Sequence, residues 1–280
     1  MSSIEKVGRG QSVFTHAVLW LACIVALFPV SRIITISLRP GNRLLSSDMS
    51  LIPDDATLAS YFTIVTQKPF LQWLYNSLLI TLTTSLIGVA LAASAAYAFA
   101  RYAFPGRKSG LLFLMTTQMI PGAMLLLPIY LVLTKLGLNN TYTGLVIAYS
   151  VTTLPFSIWI LKGYFDTVPR SLEEAARIDG CSEFGAFYRI LLPLSKPSLA
   201  IVFLFNFTQA WNEYLVASTI LQDPRLRTWP LGLYELQGNF NSEWGLFAAG
   251  SVLISVPVVL LFLYSSKYMI SGLTLGGVKG

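Results

Sequence analysis

Six stretches of this 280-residue chain run for nineteen residues or more with almost no charge: Val13–Ser31, Pro69–Ala100, Ser109–Thr134, Leu136–Leu161, Pro197–Gln222 and Trp244–Ser266. Only Glu213 interrupts them. About 20 mostly apolar residues in a helix cross a bilayer, so each stretch reads as a membrane span. Barrel strands would instead alternate polar and apolar residues over about ten positions, and no such alternation is present. Helices also satisfy their backbone polar groups internally, as lipid requires. Composition agrees, with 11% charged residues against about 25% in an ordinary soluble domain. The chain therefore reads as all-α, a polytopic membrane protein with six transmembrane helices in a single domain covering residues 1–280.

The first span has the basic start of a signal peptide, Lys6 and Arg9. It runs on past Phe28-Pro29 into Ile33-Ile34-Thr35-Ile36 without a small-x-small cleavage site, so it reads as a retained signal anchor. Six spans place both termini on one side. Lys6, Arg9, Arg101, Arg107, Lys108, Lys162, Arg170, Arg177, Arg189, Lys196, Lys267 and Lys279 fall on that side, against Arg39, Arg43, Lys68, Lys135, Arg225 and Arg227 opposite. Twelve against six makes the termini cytoplasmic by the positive-inside rule. The net charge of +6 then follows from topology and anionic headgroups, without nucleic acid as a partner.

Two cysteines, Cys23 and Cys181, and one histidine, His16, supply neither a disulfide framework nor a metal site. Gly106-Arg107-Lys108-Ser109 lacks the core of a phosphate loop and follows no strand. The second span is rich in small residues from Ala90 to Ala98, and the sixth from Gly245 to Ser251, which lets helix backbones approach closely. Pro121, Pro128, Pro155 and Pro257 imply kinks or local unwinding, open between a transport pathway and packing alone.

Residues 162–196, between the fourth and fifth spans, hold most of the charge on the cytoplasmic side, and the loop proper is 163–196. Ser171-Leu172-Glu173-Glu174 reads as a capping box, with Ser171 at the N-cap and Glu174 at the third helical position. Gly180 is placed to end that helix. A second short helix starts at Ser182 and carries Phe184, Phe187 and Tyr188 toward one face. Acidic and apolar residues so mixed suit a docking element. The spacing is more specific: Glu174-Ala175-Ala176, Gly180 and Ile190-x-Leu192-Pro193 match the pattern E-A-A-x3-G-x9-I-x-L-P.

That pattern closely resembles the cytoplasmic loop of the membrane subunits of bacterial ATP-binding-cassette importers. Ala96-Tyr97-Ala98-Phe99-Ala100-Arg101, Phe104-Pro105-Gly106, Lys162-Gly163-Tyr164-Phe165 and the tail at 271–280 resemble the second membrane subunit of maltose-type carbohydrate importers, the MalG-like group. The resemblance implies a MetI-like permease fold in the bacterial inner membrane and a non-catalytic transport subunit. It also implies a homologous second permease subunit as heterodimer partner, two ATPase subunits and an extracytoplasmic solute-binding protein. No cofactor would be bound by this chain; ATP and Mg would be used by the partner ATPase. Ser171, Glu173, Glu174, Ala175, Ala176 and Gly180 would form the docking helix, with Glu174 facing a basic residue of the ATPase. Leu275, Gly276, Gly277, Val278 and Lys279 would reach between the ATPase subunits, where composition alone reads a frayed end.

The fifth span is unusually polar, with Asn206, Gln209, Trp211, Asn212, Glu213 and Tyr214. Aromatic faces, amides and a carboxylate are what bind sugars. Glu213 lies sixteen residues after Pro197, about 24 Å along a helix and near the outer interface. These residues stand open between substrate contact and packing or gating. The loop from Asp223 to Glu243, with Trp229, Tyr234, Asn239, Phe240 and Asn241, would by resemblance probe the binding protein; otherwise it simply connects two spans. The function expected is ATP-driven import of an oligosaccharide (maltose-, maltodextrin- or trehalose-like) or a related polyol by alternating access. A proton- or sodium-coupled sugar transporter would carry charges at mid-membrane depth, and a membrane enzyme would need clustered acids, histidines or a nucleophile. Neither pattern is visible.

Overall fold

A computed structural model describes residues 9–40, 50–237 and 243–276. Asn239, Phe240, Asn241, Gly277, Val278 and Lys279 lie outside the described residues, as does the side chain of Leu275. The helices in chain order are α1 (Arg9–Ser37), α2 (Ala59–Gln67), α3 (Phe70–Arg101), α4 (Arg107–Thr117), α5 (Gly122–Lys135), α6 (Tyr142–Thr167), α7 (Ser171–Ile178), α8 (Glu183–Ala186), α9 (Leu192–Leu194), α10 (Lys196–Asn212), α11 (Leu215–Ile220), α12 (Trp229–Glu235) and α13 (Trp244–Gly276). A π-helical turn, Phe187–Leu191, joins α8 to α9, and a 3-10 turn, Pro224–Leu226, precedes α12.

Among the described residues, four helices are singly long and apolar enough to cross a membrane: α1, α3, α6 and α13. Two further spans arise if bent pairs are each taken as one, α4 with α5 at 103° and Glu183–Leu194 with α10 at 79°. The expected third span is therefore broken at Gln118–Pro121. Pro121 has no N–H to continue a helix and disfavours helical geometry in the residue before it; its own backbone is extended, φ −54° and ψ 128°. Pro128, Pro155 and Pro257 remain inside helices. The fourth span begins at Tyr142, six residues later than the charge pattern placed it. Gly137 and Asn140 take left-handed backbone, φ 68° and 56°, and the Thr141 hydroxyl caps the new helix by accepting from the Gly144 N–H. The fifth ends early, at Asn212.

The chain forms two compact units, Met1–Phe70 with Leu233–Ile254 and Leu71–Gly232 with Ser255–Gly280. In the first, the whole apolar stretch of α1 is exposed, as a lipid-facing helix would be. Below it the Ser37 and Tyr61 hydroxyls pair at 2.7 Å, and Gly250 of α13 brings backbone against Ile64 and Leu233.

In the second unit α6 is the packing axis, touched by α4, α5, α10 and α11. Helix α3 turns one stripe inward at helical spacing: Trp73, Asn76, Ile80, Thr84, Gly88, Ala92, Ala96 and Ala100 are buried. Leu71, Leu79, Leu82, Leu86 and Leu91 of the same helix are exposed. After Ile80 the inward stripe is thus small or polar while large apolar residues face outward, which suits a bundle with no hydrophobic drive between helices. The alanines meet Ile158, Leu161 and Phe165 of α6 in one core cluster.

Candidate functional site

Three parts of the second unit carry polar chemistry: the loop after α6, a cavity at the break of the third span, and the turns beyond α10. The loop starts with Pro169-Arg170, and α7 begins at Ser171 as its first helical residue. Arg170 holds the N-cap position in helical geometry without a side-chain cap, and its carbonyl accepts from the Glu173 and Glu174 N–H groups, both at 3.0 Å. The expected capping box is therefore absent. Ser171 lies one position too far into the helix to close it.

The C-terminal end forms as the sequence indicates. Gly180 has φ +84°; its N–H donates to the Arg177 carbonyl at 3.0 Å and the Cys181 N–H to Ala176 at 2.9 Å, a Schellman closure. Ser182 then caps α8 by accepting from the Gly185 N–H at 3.1 Å. The three aromatics separate, however: Phe187 is buried whereas Phe184 and Tyr188 are exposed. Gly180→Ala places a Cβ in left-handed backbone at a cost of about 1 kcal/mol. Trypsin should then cut at Arg177 several-fold faster, and unchanged cleavage would show that the turn does not need glycine.

Glu173 and Glu174 part company. Glu173 is 1% exposed; its Oε1 accepts from Arg101 Nε at 2.6 Å and its Oε2 from the Tyr97 hydroxyl at 3.2 Å. It fastens α7 to α3, so its expected place on the docking face is corrected: a carboxylate paired inside cannot meet a partner chain. Arg101 also donates to the Val168 carbonyl at 3.1 Å, and Arg170 to that of Ala100 at 2.9 Å. Tyr102 donates to Glu183, a bond that holds the Tyr102 hydroxyl above its ordinary pKa. Glu174, Ala175 and Ile178 face outward, Ile178 at 87% exposure, and the Glu174 carboxylate has no partner among the described residues. Arg101, Tyr97 and Arg170 escaped the sequence reading; a cation closing a charge-free run, across from an acid in the next polar segment, was the available signal.

The cavity, about 540 Å³, lies where α4 breaks from α5 and is lined by Gln118, Thr152, Thr153 and Gln209 among apolar neighbours. Gln118 Nε2 donates to the Thr152 carbonyl at 3.0 Å, tying the break to α6. Of the six polar residues expected on the pathway, the cavity takes Gln209 and Glu213. Both Glu213 carboxylate oxygens accept from the Val216 N–H, at 2.9 and 3.1 Å, and one also from Ala217. They cap α11, the job a helix N-terminus gives an acid. Asn206 is buried and accepts from the Ser157 hydroxyl at 2.8 Å, with its amide pressed against Gly88. Trp211 is buried between Phe207 and Trp229. Asn212 is exposed and bonds the Thr208 carbonyl, and Tyr214 packs against a core cluster. Those four do not line the cavity.

At the opposite end of α3 from Arg101, a polar network holds the chain after α11. Asn140 Oδ1 accepts from the Gln222 and Asp223 N–H groups. Asn76 Nδ2 donates to the Arg225 and Arg227 carbonyls at 2.9 and 2.8 Å, and its Oδ1 accepts from Tyr142 and Gln72. Ser77 accepts from the Trp229 N–H at 2.8 Å. Arg225 is salt-bridged to Asp223 at 2.8 Å and holds that carboxyl below its ordinary pKa. The segment expected to probe the binding protein or simply to connect two spans contains a 3-10 turn and α12; Trp229 lies inside the network and Tyr234 is exposed on the helix.

Comparison with known proteins agrees with this geometry. The family model described as "Binding-protein-dependent transport system inner membrane component" matches residues 86–268. The maltose/maltodextrin transport system permease protein MalG of Vibrio vulnificus (strain YJ016) is 39% identical over 285 residues, 95% of each chain. The galactooligosaccharides transport system permease protein GanQ of Bacillus subtilis (strain 168) is 35% identical, again over 95% of both chains. A chain from the crystal structure of a bacterial ABC transporter involved in import of the acidic polysaccharide alginate superposes with TM-score 0.82 at 22% identity, covering 96% of this chain and 99% of that one.

Proposed function

The chain belongs to the family of binding-protein-dependent transport system inner membrane components, and from that premise we propose that it passes a neutral oligosaccharide of the maltose or maltodextrin kind, or a related polyol, through the bacterial inner membrane. As a member of that family it is a multi-pass permease subunit of an importer, and ATP is hydrolysed by separate subunits. The finer assembly is part of the proposal: a distinct second permease chain, two ATPase subunits docked at α7, a solute-binding protein on the face of Asn76, and both termini in the cytoplasm.

The observation that carries the reading is the division of labour in α7. Glu173 anchors the helix inward while Glu174, Ala175 and Ile178 are left for a partner. A partner that closes on ATP can move a membrane bundle only through a rigid element, and a helix closed at Gly180 and pinned at Glu173 is one. The relatives' names suggest the sugar class, and a largely apolar cavity with two glutamine amides and threonines in its lining suits it. Gradient-driven transport is not supported, because Glu213, the carboxylate within the expected spans, is committed to backbone amides.

Proteoliposomes test this directly. The chain with its membrane, ATPase and binding-protein partners should take up labelled maltotriose when ATP is enclosed with the ATPase, and the purified chain alone should hydrolyse none. Uptake by the isolated chain on a proton or sodium gradient would overturn the proposal.

A further inference from the structure

We infer that α3 is the rod that carries movement of the coupling loop to the opposite face, with the buried Arg101–Glu173 pair as its inner joint and Asn76 as its outer one. The inference rests on the importer reading above. Sequence order suggests another route, since α6 and α10 flank the loop covalently and would be moved first. The side chains point elsewhere. Arg101 and Glu173, with side chains 6% and 1% exposed, meet at 2.6 Å. Arg101 reaches the Val168 carbonyl before α7, and Arg170 from the loop reaches back to the Ala100 carbonyl. That last contact places a cation on the negative end of the α3 dipole. Tyr102 holds Glu183, which also lies 3.7 Å from Arg177, so α7 and α8 are fastened to the same helix end.

These ties cross in both directions, and the central pair is shut away from water. A charge-assisted bond in such a place is short and does not exchange with solvent, so it acts as a link and not a sliding contact. Between the joints α3 is unbroken helix, with no proline from Phe70 to Arg101. Asn76 and Arg101 are twenty-five residues apart, about 38 Å along the axis. At the far joint Asn76 grips the Arg225 and Arg227 carbonyls. One rigid element therefore touches the surface offered to the ATPase and the segment on the opposite face. Coupling of this kind is reciprocal, so a partner bound at the Asn76 end would bias the loop through the same helix.

The complete transporter in proteoliposomes, with maltotriose as probe, tests the joint. Glu173→Gln should leave the ATPase bound and hydrolysing ATP while maltotriose imported per ATP falls at least fivefold. A merely structural defect would lower both activities together and leave the ratio alone. Exchanging the pair, Arg101→Glu with Glu173→Arg, should restore the ratio to within about threefold of wild type. Should Glu173→Gln not assemble, Arg101→Lys decides, since it keeps the charge but loses the fork to Val168; a two- to fivefold fall in the ratio is expected. A wild-type ratio in whichever of these variants assembles overturns the rod. Absence of ATP-driven uptake by the wild type would instead strike the importer reading.

Discussion

Glu174→Gln should cut ATP-driven uptake by an order of magnitude or more while leaving the thermal stability of the chain almost unchanged. Were Glu174 the third residue of a capping box, the two effects would be confounded. The structure separates them: Ser171 caps nothing, and the Glu174 carboxylate has no partner among the described residues. What remains for stability is its charge in the first turn of α7, worth about 0.3–1 kcal/mol at an exposed helix N-terminus. Helix α7 is held meanwhile by Glu173 on Arg101 and by the Gly180 closure. Against that small loss stands the proposed charge-assisted hydrogen bond to a cation on the ATPase, which would be worth about 1.5–3 kcal/mol, roughly a 10- to 150-fold change in docking constant. Titrating the ATPase subunit onto the detergent-solubilised permease, alongside uptake, measures both. Wild-type docking and uptake would remove Glu174 from the interface.

The contrast between Glu173 and Glu174 also marks what the sequence can yield. The six apolar runs declare the solvent, and Gly180 and Ser182 declare local backbone needs that no distant residue alters; these were legible. Two adjacent glutamates have the same chemistry and differ by about 100° around the helix. Which one turns inward is decided by Arg101, seventy-two residues away, and nothing local records it. The same limit explains the third and fourth spans. Hydropathy reports that residues 109–161 are apolar, but not that the chain bends by 103° within them or that Thr141 restarts the helix. The break that gives Glu213 two backbone amides to cap is likewise invisible in an apolar run. Conversely Asn76 drew no attention as one amide in a long span, yet it makes four hydrogen bonds.

Asn76→Ala should be the most destabilising single change at the outer face. The residue is fully buried, and truncation removes both donors from the Arg225 and Arg227 carbonyls and the acceptor from the Tyr142 hydroxyl. Each buried polar group left unmatched costs about 1–3 kcal/mol. With water reaching the exposed Arg225 side of the turn, a total of roughly 3 kcal/mol is expected, enough to lower the thermal midpoint by several degrees. Trypsin should then cut at Arg225 and Arg227, and binding-protein-dependent uptake should fall with the loss of order. Asn76→Asp separates hydrogen bonding from packing. Once ionised, its carboxyl has no hydrogen to give the two carbonyl oxygens that Asn76 Nδ2 now serves. The protonated form keeps one donor, so the variant is most stable at low pH and loses stability as the carboxyl ionises. The Asn76→Asp variant should therefore be closer to wild type at pH 5 than at pH 8, whereas Asn76→Ala should show the same deficit at both. Equal deficits for the two variants at both pH values would mean that Asn76 fills space without holding the outer turn.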